Sequence, residues 1–345
     1  MTNETPSPTK LFILLTLVLF SLMPVIELHA EGDLPNITSL QLSVGEDGNC
    51  TLKVDSRDTE EAHKRDEKVK GEEIKLEAFG DAKVNKLDDG RLNVIYDFAT
   101  IKDATQLFPS FLNDQAKKQL GQSISIDEDE GVLVLTPANN KRVNLPLPRM
   151  LRPPFTVRID LLGHSEGMFQ LTASPGGNLI ATSLHGSKTP EKSASVGDIR
   201  VISRSANSKQ LNSLLKVNHQ KAELRDYHFK VDPEAVKNNA MLGIGYFGDL
   251  PIAVKKIEIT AKIPPSFGIA LKQVGTRIIA QQVVDGSAAQ KAGIRKNDVI
   301  VAIGDKKAKS AKDALNSFSE CELGKEVVLK VQRYGKDRAI KVIPQ

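Results

Sequence analysis

The chain has 345 residues, of which 40% are hydrophobic and 26% are charged, and its formal net charge is +4. This is the composition of an ordinary globular protein, at a length that favours about two or three domains. Tryptophan is absent and aromatic residues make up only 5%, which argues against a surface that binds sugars or bases by stacking. The two cysteines, Cys50 and Cys321, are too few for a disulfide framework, so we expect two separate thiols.

Residues 1–30 have the anatomy of a secretory signal peptide. Lys10 precedes an apolar run from Leu11 to Ile26, and Ala30 supplies a small residue shortly after it. The run is shorter than the roughly 20 apolar residues that span a bilayer. We therefore expect cleavage after Ala30 and a periplasmic or cell-surface protein. An uncleaved N-terminal membrane anchor is the alternative, and only in that case would the protein contact a membrane.

Residues 31–90 are predicted to form a small β-rich region. Apolar residues alternate on both sides of a turn at 45–48, which indicates a hairpin. Residues 55–73 are dense in charge and almost free of apolar side chains. We expect that segment to be solvated and free to move.

Residues 91–263 are predicted to form a β-sandwich of the jelly-roll type. Alternating stretches recur at fairly regular spacing with little helical periodicity. The strand candidates lie at 92–96, 132–136, 155–161, 168–173, 199–203, 227–231, 241–246 and 254–263. With Tyr96-Asp97-Phe98 near its start, the pattern resembles the concanavalin/laminin-G-like sandwiches of large exported bacterial proteins. Pro264-Pro265 then indicates a short, stiff connection to the next domain.

The tail from residue 264 carries three motifs in a fixed order. Phe267-Gly268-Ile269-Ala270-Leu271 comes first, residues 285–294 with their Gly286-Ser287 turn come second, and Asn297-Asp298-Val299-Ile300 comes third. In this order and spacing, residues 264–345 resemble a bacterial, circularly permuted PDZ domain. The resemblance implies an α+β domain that captures an extended chain or a C-terminal carboxylate. It also favours a bacterial source.

The same residues predict the parts of a groove. Ile269 and Leu271 alternate with their neighbours as in a strand with one buried face, and residues 310–320 indicate a short helix with Ser310 as its N-cap. Gly268 permits a tight turn in which successive N–H groups converge on an anion. The resemblance implies a carboxylate-binding loop, formed by Ser266, Phe267, Gly268 and Ile269. It also implies an apolar pocket, formed by Ile269, Leu271, Ala311, Leu315 and Phe318.

The charge is unevenly distributed. Residues 266–345 hold 15 Lys and Arg against 8 Asp and Glu, a net charge of +7, which leaves −3 for the rest. A basic peptide-binding domain favours acidic or anionic partners. The charges are scattered and not interleaved with aromatic residues, so we predict a solvated surface and no nucleic-acid partner.

Three matches to functional motifs are predicted to be structural. Gly163-His164-Ser165-Glu166-Gly167 matches a nucleophile elbow, but a strand pattern follows it where a helix is required. Residues 243–248 match a dinucleotide fingerprint, and again a turn and a strand follow. The acidic run 127–131 is expected to be a hairpin tip. The six histidines show no metal-ligand spacing, so neither a metal nor a cofactor is predicted.

The sequence also lacks the Gly-Asn-Ser-Gly-Gly-like loop of the proteases that often carry bacterial PDZ domains. We therefore expect an exported, non-catalytic interaction protein that binds extended peptides or protein C-termini. Three alternatives stay open. The sandwich could bind glycans, the chain could serve a separate envelope protease as an accessory subunit, or the sandwich could act on glycosides through a carboxylate pair that the sequence does not single out.

Overall fold

The computed structural model of the protein describes residues 38–56, 71–76, 79–108, 112, 114–137, 142–162, 168–175, 179–185, 195–205, 210–220, 223–234, 236 and 239–345. The expected signal peptide, most of the charged segment 55–73 and the Gly163–Gly167 motif lie outside the described residues.

The fold is mainly β, as predicted. The strands are β1 Ser39–Val44, β2 Asn49–Asp55, β3 Glu72–Ile74, β4 Lys83–Lys86, β5 Leu92–Asp97, β6 Ile124–Asp127, β7 Val132–Leu135, β8 Arg142–Leu162, β9 Met168–Pro175, β10 Leu179–His185, β11 Ser195–Arg204, β12 Asn212–Gln220, β13 Leu224–Lys230, β14 Ala240–Phe247, β15 Ile252–Lys262, β16 Ile269–Val274, β17 Arg277–Val283, β18 Val299–Ile303, β19 Lys306–Lys307, β20 Val327–Arg333 and β21 Lys336–Val342. The helices are a 3-10 turn Ala104–Leu107, α1 Asp114–Gly121, α2 Ala288–Lys291 and α3 Ala311–Ser319. Within the described part of the chain, no helix is both long and apolar enough to cross a membrane.

Contacts divide the chain into two compact units, one containing Phe79–Lys262 and the other Ile263–Gln345. In the first unit β1 to β15 form one antiparallel sheet whose main path is β12-β11-β10-β9-β14-β8-β15-β5-β4-β3. The strands before residue 90 pair with strands after it, since β1 lies against β8 and β4 lies against β5. Residues 39–86 and 92–262 therefore share one hydrogen-bonded sheet.

The long strand β8 connects the two halves of this sheet. Its first half pairs with β14, and its second half pairs with β15 and β1. The core consists of alternate apolar side chains of these strands, such as Leu145, Val157 and Ile257, which are almost fully buried. The sheet thus follows the alternation of the sequence, while the resemblance to a concanavalin-like sandwich stays a prediction.

The second unit has its own sheet, in the order β16-β17-β18-β20-β21. The short helix α2 and the helix α3 contribute Ala288, Ala289, Ala314 and Phe318 to a core that includes Phe267, Ile278, Ile300 and Leu329. The unit thus has a core of its own, as expected for an independent domain. Residues 263–268 enter the unit without regular secondary structure.

Candidate functional site

The strand β16 lies at the edge of the C-terminal sheet. Among the described residues it pairs only with β17, in a register that matches Ile269 with Val283 and Val274 with Arg277. Its other edge therefore presents backbone N–H and C=O groups without a strand partner, which is a template for pairing with another chain.

The helix α3 lies beside this edge strand and is tied to it by a hydrogen bond. The backbone N–H of Ala311 donates to Oε1 of Gln273 on β16, at 3.1 Å. Ser310 is the N-cap, as the sequence predicted, because its hydroxyl accepts from the N–H of Asp313 at 3.0 Å. Ala314 and Phe318, one turn apart, are buried against the sheet. The strand and the helix thus form the two walls of a groove.

The loop before β16 holds three successive carbonyl groups in hydrogen bonds. The carbonyl of Ser266 accepts from Gln345 at 3.0 Å, that of Phe267 accepts from Ala289 at 3.0 Å, and that of Gly268 accepts from Val284 at 2.8 Å. In a trans peptide unit the N–H of the next residue points away from the carbonyl. The N–H groups of residues 267, 268 and 269 therefore point away from these three partners, and those of 267 and 268 donate to no group in the described part of the chain.

Gly268 makes this arrangement possible. Its φ is +71°, in the left-handed region where a residue with a Cβ is strained. A Cβ at this position would also overlap the side chain of Ser287, whose Oγ would lie 2.6 Å from it. Ser287 in turn caps α2 by accepting from the N–H of Gln290. A change of backbone direction at Gly268 allows successive N–H groups to face one anion.

The predicted pocket residues occupy two different depths. Phe267 and Phe318 are buried, and their ring centroids lie 4.3 Å apart. Ile269, Leu271 and Ala311 are half-buried. Leu315 is 56% exposed, although it is apolar. The two phenylalanines therefore form a floor, and the other residues form the walls above it. Ser266 is exposed at the mouth of the loop.

Sequence reasoning missed the residues that support this site. Ala289 and Val284 anchor the loop, and Gln273 fixes the helix to the strand. Ala289 lies in the second motif of the tail, but nothing in that motif marks its role, because a backbone N–H donor leaves no signature in the sequence. Gln273 alone offered a signal, as a polar residue on the face that carries Ile269 and Leu271.

The first unit contains a second polar cluster that the sequence did not reveal. Nε2 of His219 lies 3.1 Å from Oγ of Ser56, and its Nδ1 lies 2.9 Å from the hydroxyl of Tyr227 and 3.9 Å from Glu223. A hydroxyl, an imidazole and a carboxylate in this order are the components of a nucleophilic triad. Here His219 is fully buried and Ser56 is 4% exposed.

The hydrogen bonds of Ser56 are directed into the protein. Its Oγ accepts from the N–H of Glu223 at 3.1 Å and lies 3.2 Å from the carbonyl oxygen of the same residue. The cluster joins the end of β2 to β12 and β13. In this arrangement it acts as a buried connection between strands.

The other motif matches are placed as follows. Gly243 and Gly245 lie within β14, and the next element along the chain is the strand β15. Asp127 is at the tip of the β6–β7 hairpin, where its carboxylate accepts from the N–H groups of Asp129 and Glu130. The described residues contain no group of three potential metal ligands.

Comparison with known proteins identifies the C-terminal unit. A family model described as "PDZ domain" matches residues 265–343. The tail is therefore a PDZ domain, as the resemblance implied. No curated protein sequence matches the chain.

Solved structures that match most of the chain include several proteases. One is the HtrA-type protease AlgW with a decapeptide, which is 12% identical, with 87% of this chain and 80% of that chain covered and a TM-score of 0.24. Another is a serine endoprotease from Yersinia pestis, also 12% identical, with 90% and 94% covered and a TM-score of 0.24. A third, a variant of AlgW with a tripeptide, is 10% identical with the same coverage and TM-score as the second.

These matches correct the expectation of a non-catalytic, non-enzyme protein. That expectation depended on the absence of a known protease loop, and these proteins, matched over most of the chain's length, are proteases. It is therefore withdrawn. A TM-score of 0.24 transfers neither the protease fold nor its catalytic residues to this chain.

Proposed function

We propose that the PDZ domain binds the C-terminal ends of peptides or proteins in the groove between β16 and α3. The observation that carries this proposal is the loop at residues 266–268, where three successive carbonyls are bound by the fold and the N–H groups of the opposite side are left for a ligand. A carboxylate at that place accepts charge-assisted hydrogen bonds from N–H groups.

The rest of the groove supports an extended peptide. A peptide whose C-terminal end lies at the loop and whose preceding residues extend along β16 runs antiparallel to that strand and completes its open edge. Its last side chain enters the space between Ile269 and Leu315, above the floor formed by Phe267 and Phe318. Because Leu315 is half-exposed and apolar, covering it with a ligand side chain is favourable.

The experiment compares matched peptides on the full chain. Fluorescein-labelled decapeptides are first selected from a library of random C-terminal decapeptides. Each is then synthesised with a free carboxylate and with a carboxamide, and both are measured by fluorescence anisotropy. Loss of a charged hydrogen-bond acceptor of this kind costs about 1.5–3 kcal/mol, so amidation is expected to weaken binding by roughly tenfold or more. Equal affinity of the two forms would contradict recognition of the C-terminus.

We also propose that the protein is exported. The basic start, the apolar centre and Ala30 in the first 30 residues support this proposal. Expression of the full gene in a Gram-negative host, followed by fractionation and N-terminal sequencing, tests it. Periplasmic protein beginning at Glu31 is the expected result, and cytoplasmic protein that keeps residues 1–30 is the contrary one.

A further inference from the structure

We infer that this groove selects C-terminal peptides with acidic residues at the third and fourth positions before the terminal residue. The inference rests on the proposed function, because it assigns side-chain specificity to the same site. It depends on two lysines, Lys272 on β16 and Lys312 on α3.

The two lysines lie at the same level of the groove. Gln273 of β16 accepts a hydrogen bond from the N–H of Ala311 at 3.1 Å, which places these two residues side by side. Lys272 is the neighbour of Gln273 along the strand, and Lys312 is the neighbour of Ala311 along the helix. Both lysines are exposed. One positive charge therefore lies on each of the two elements, β16 and α3, at the same level along the groove.

Their faces follow from the periodicity of each element. Gln273 lies on the side of β16 that faces the helix, so Lys272, one residue before it, lies on the outer side. On α3 the buried residues are Ala314 and Phe318. Each residue is rotated by 100° about the helix axis, which places Leu315 just outside the buried side. Lys312 lies further round in the same direction, on the outer rim. Asp313 lies on the far side of the helix from Leu315, so it does not neutralise this rim.

Among the described residues, neither lysine has an acidic partner. The ion pairs of this unit include Lys306 with Glu320, Lys325 with Glu322, Arg333 with Asp298 and Lys341 with Glu326. Neither Lys272 nor Lys312 takes part in any of these contacts. Lys309, which immediately precedes the N-cap Ser310, is also exposed and adds a third positive charge near the N-terminus of α3, where the helix dipole likewise favours an anion.

The register of a bound peptide sets the positions. If the terminal carboxylate is bound at Gly268, the terminal residue lies opposite Ile269, and the chain runs antiparallel to β16. The third residue before it then lies opposite Lys272, on the same face of the sheet. The fourth lies opposite Gln273, beside the start of α3 and Lys312. Glutamate or aspartate at these two positions would form one ion pair with Lys272 and one with Lys312.

The magnitude is that of exposed ion pairs. Each contributes about 0.2–1 kcal/mol and is weakened by salt, so each acidic residue should improve affinity by roughly 1.4- to fivefold. Selection from a library of random C-terminal decapeptides should enrich Asp and Glu at the third and fourth positions before the end.

A charge swap provides the decisive test on the full chain. Two synthetic decapeptides from the selection are compared, one with Glu and one with Lys at the third position before the end. Lys272→Glu should reverse the preference for Glu over Lys at the third position. Lys312→Glu should reverse the same preference at the fourth position, measured with a matching pair of peptides. Lys336→Glu is the control, since it removes the same charge from the exposed β21 at the opposite edge of the sheet.

The outcomes separate this inference from the proposed function. Reversal by Lys272→Glu and not by Lys336→Glu supports local pairing. If all three variants change affinity by the same factor, the effect is long-range attraction and the positional inference is wrong. In that case a remaining preference for the free carboxylate over the carboxamide still supports the groove. If that preference is absent as well, the proposed function itself fails.

Discussion

Phe267, in the loop, packs against Phe318, in the last turn of α3, with ring centroids 4.3 Å apart. Both side chains are buried, at 4% and 7% exposure. This contact joins the loop end of the groove to its helical wall, so the width of the groove depends on the core of the domain. An aromatic pair of this kind also resists small displacements because its dispersion contacts are numerous.

Replacing Phe318 and Leu315 should separate stability from binding. Phe318→Ala removes a buried aromatic side chain and should lower the free energy of unfolding by about 3–5 kcal/mol. Leu315→Ala changes a side chain that is 56% exposed and should alter it by less than about 0.5 kcal/mol. The same change should weaken decapeptide binding about tenfold, because the ligand side chain loses an apolar neighbour.

Thermal unfolding and fluorescence anisotropy on the full chain provide the two measurements. A Leu315→Ala protein that is as stable as the wild type and binds equally well would remove Leu315 from the groove. Val274→Ala is a suitable comparison, since Val274 is also exposed and apolar, at 49%, and lies at the far end of β16.

Gly268→Ala should damage the loop more than Gly275→Ala. Both glycines have positive φ, +71° and +58°, so alanine is strained at either place by roughly 1–2 kcal/mol. At Gly268 the new Cβ also overlaps Ser287, whereas at Gly275 nothing lies within 4 Å. The additional loss of stability at Gly268 should therefore come mainly from the overlap with Ser287.

Binding should follow the same order. Gly268→Ala displaces the N–H groups that the loop directs to the ligand, and affinity for the selected decapeptide should fall tenfold or more, since each charged hydrogen bond contributes about 1.5–3 kcal/mol. Gly275→Ala lies in the β16–β17 turn and should leave affinity unchanged. Equal affinities for both variants would place the carboxylate elsewhere.

Asp298 and Arg333 should stabilise the PDZ domain in a pH-dependent way. Arg333 donates to both oxygens of Asp298 at 2.7 Å, and the N–H of Arg295 donates at 2.8 Å. Burial alone would raise the pKa of Asp298, but these hydrogen bonds and the positive charge of Arg333 lower it below its usual value. The ionised carboxylate is thus the form that the native state prefers.

The sign of the effect follows from linkage. Because the native pKa lies below the unfolded value of about 3.9, the contribution is fully present above that pH and is lost as the pH falls through the native pKa. Asp298→Asn should lower the free energy of unfolding by about 3 kcal/mol at pH 7. The difference in this free energy between variant and wild type should shrink below about pH 4. Urea unfolding at pH 7, 5 and 3 measures this, with Glu326→Gln in the exposed pair with Lys341 as a control that changes stability little.

The sequence was sufficient for the elements whose pattern is local. The hairpin of β1 and β2, the tip at Asp127 and the cap at Ser310 all depend on residues within one turn of each other. Periodicity also placed Ala311, Leu315 and Phe318 on one side of α3. It could not decide that Phe318 is buried and Leu315 half-exposed, because that depends on where the sheet lies relative to the helix.

Other features were beyond local reasoning. The strand β8 spans Arg142–Leu162 although it contains Pro146, Pro148, Pro153 and Pro154, and prolines normally argue against a strand. The helix α1 buries none of its residues, so it has no apolar face to detect. The three N–H groups of the loop depend on backbone partners from distant parts of the chain, which no side-chain pattern records.

His219 supplies a last prediction, in the first unit. It is fully buried between Ser56 and Tyr227. Burial lowers the pKa of His219, and the nearby carboxylates of Glu223 and Asp55 only partly oppose this effect. The native state therefore keeps the imidazole neutral at pH values where the unfolded chain, with a pKa of about 6.5, already binds a proton.

Stability should consequently fall as the pH drops below about 6.5, and the fall should continue down to the native pKa. His219→Gln cannot titrate and lacks this slope. The variant is expected to be less stable than wild type at pH 8, since two hydrogen bonds to the ring are altered, and the difference should narrow between pH 7 and pH 5. Hydrogen–deuterium exchange of β2 and β13, expressed as the ratio of variant to wild type at each pH, cancels the intrinsic pH dependence of exchange.

His228→Gln is the matched control. His228 lies on the neighbouring strand β13 and has its Nδ1 3.1 Å from Oγ1 of Thr51, but it is exposed. Because its ring is exposed, its replacement should leave the ratio of variant to wild-type exchange close to one. If His219→Gln gave a constant ratio from pH 8 to pH 5, the imidazole would titrate alike in the folded and unfolded states. The buried connection between β2, β12 and β13 would then have no part in the acid sensitivity of the large sheet.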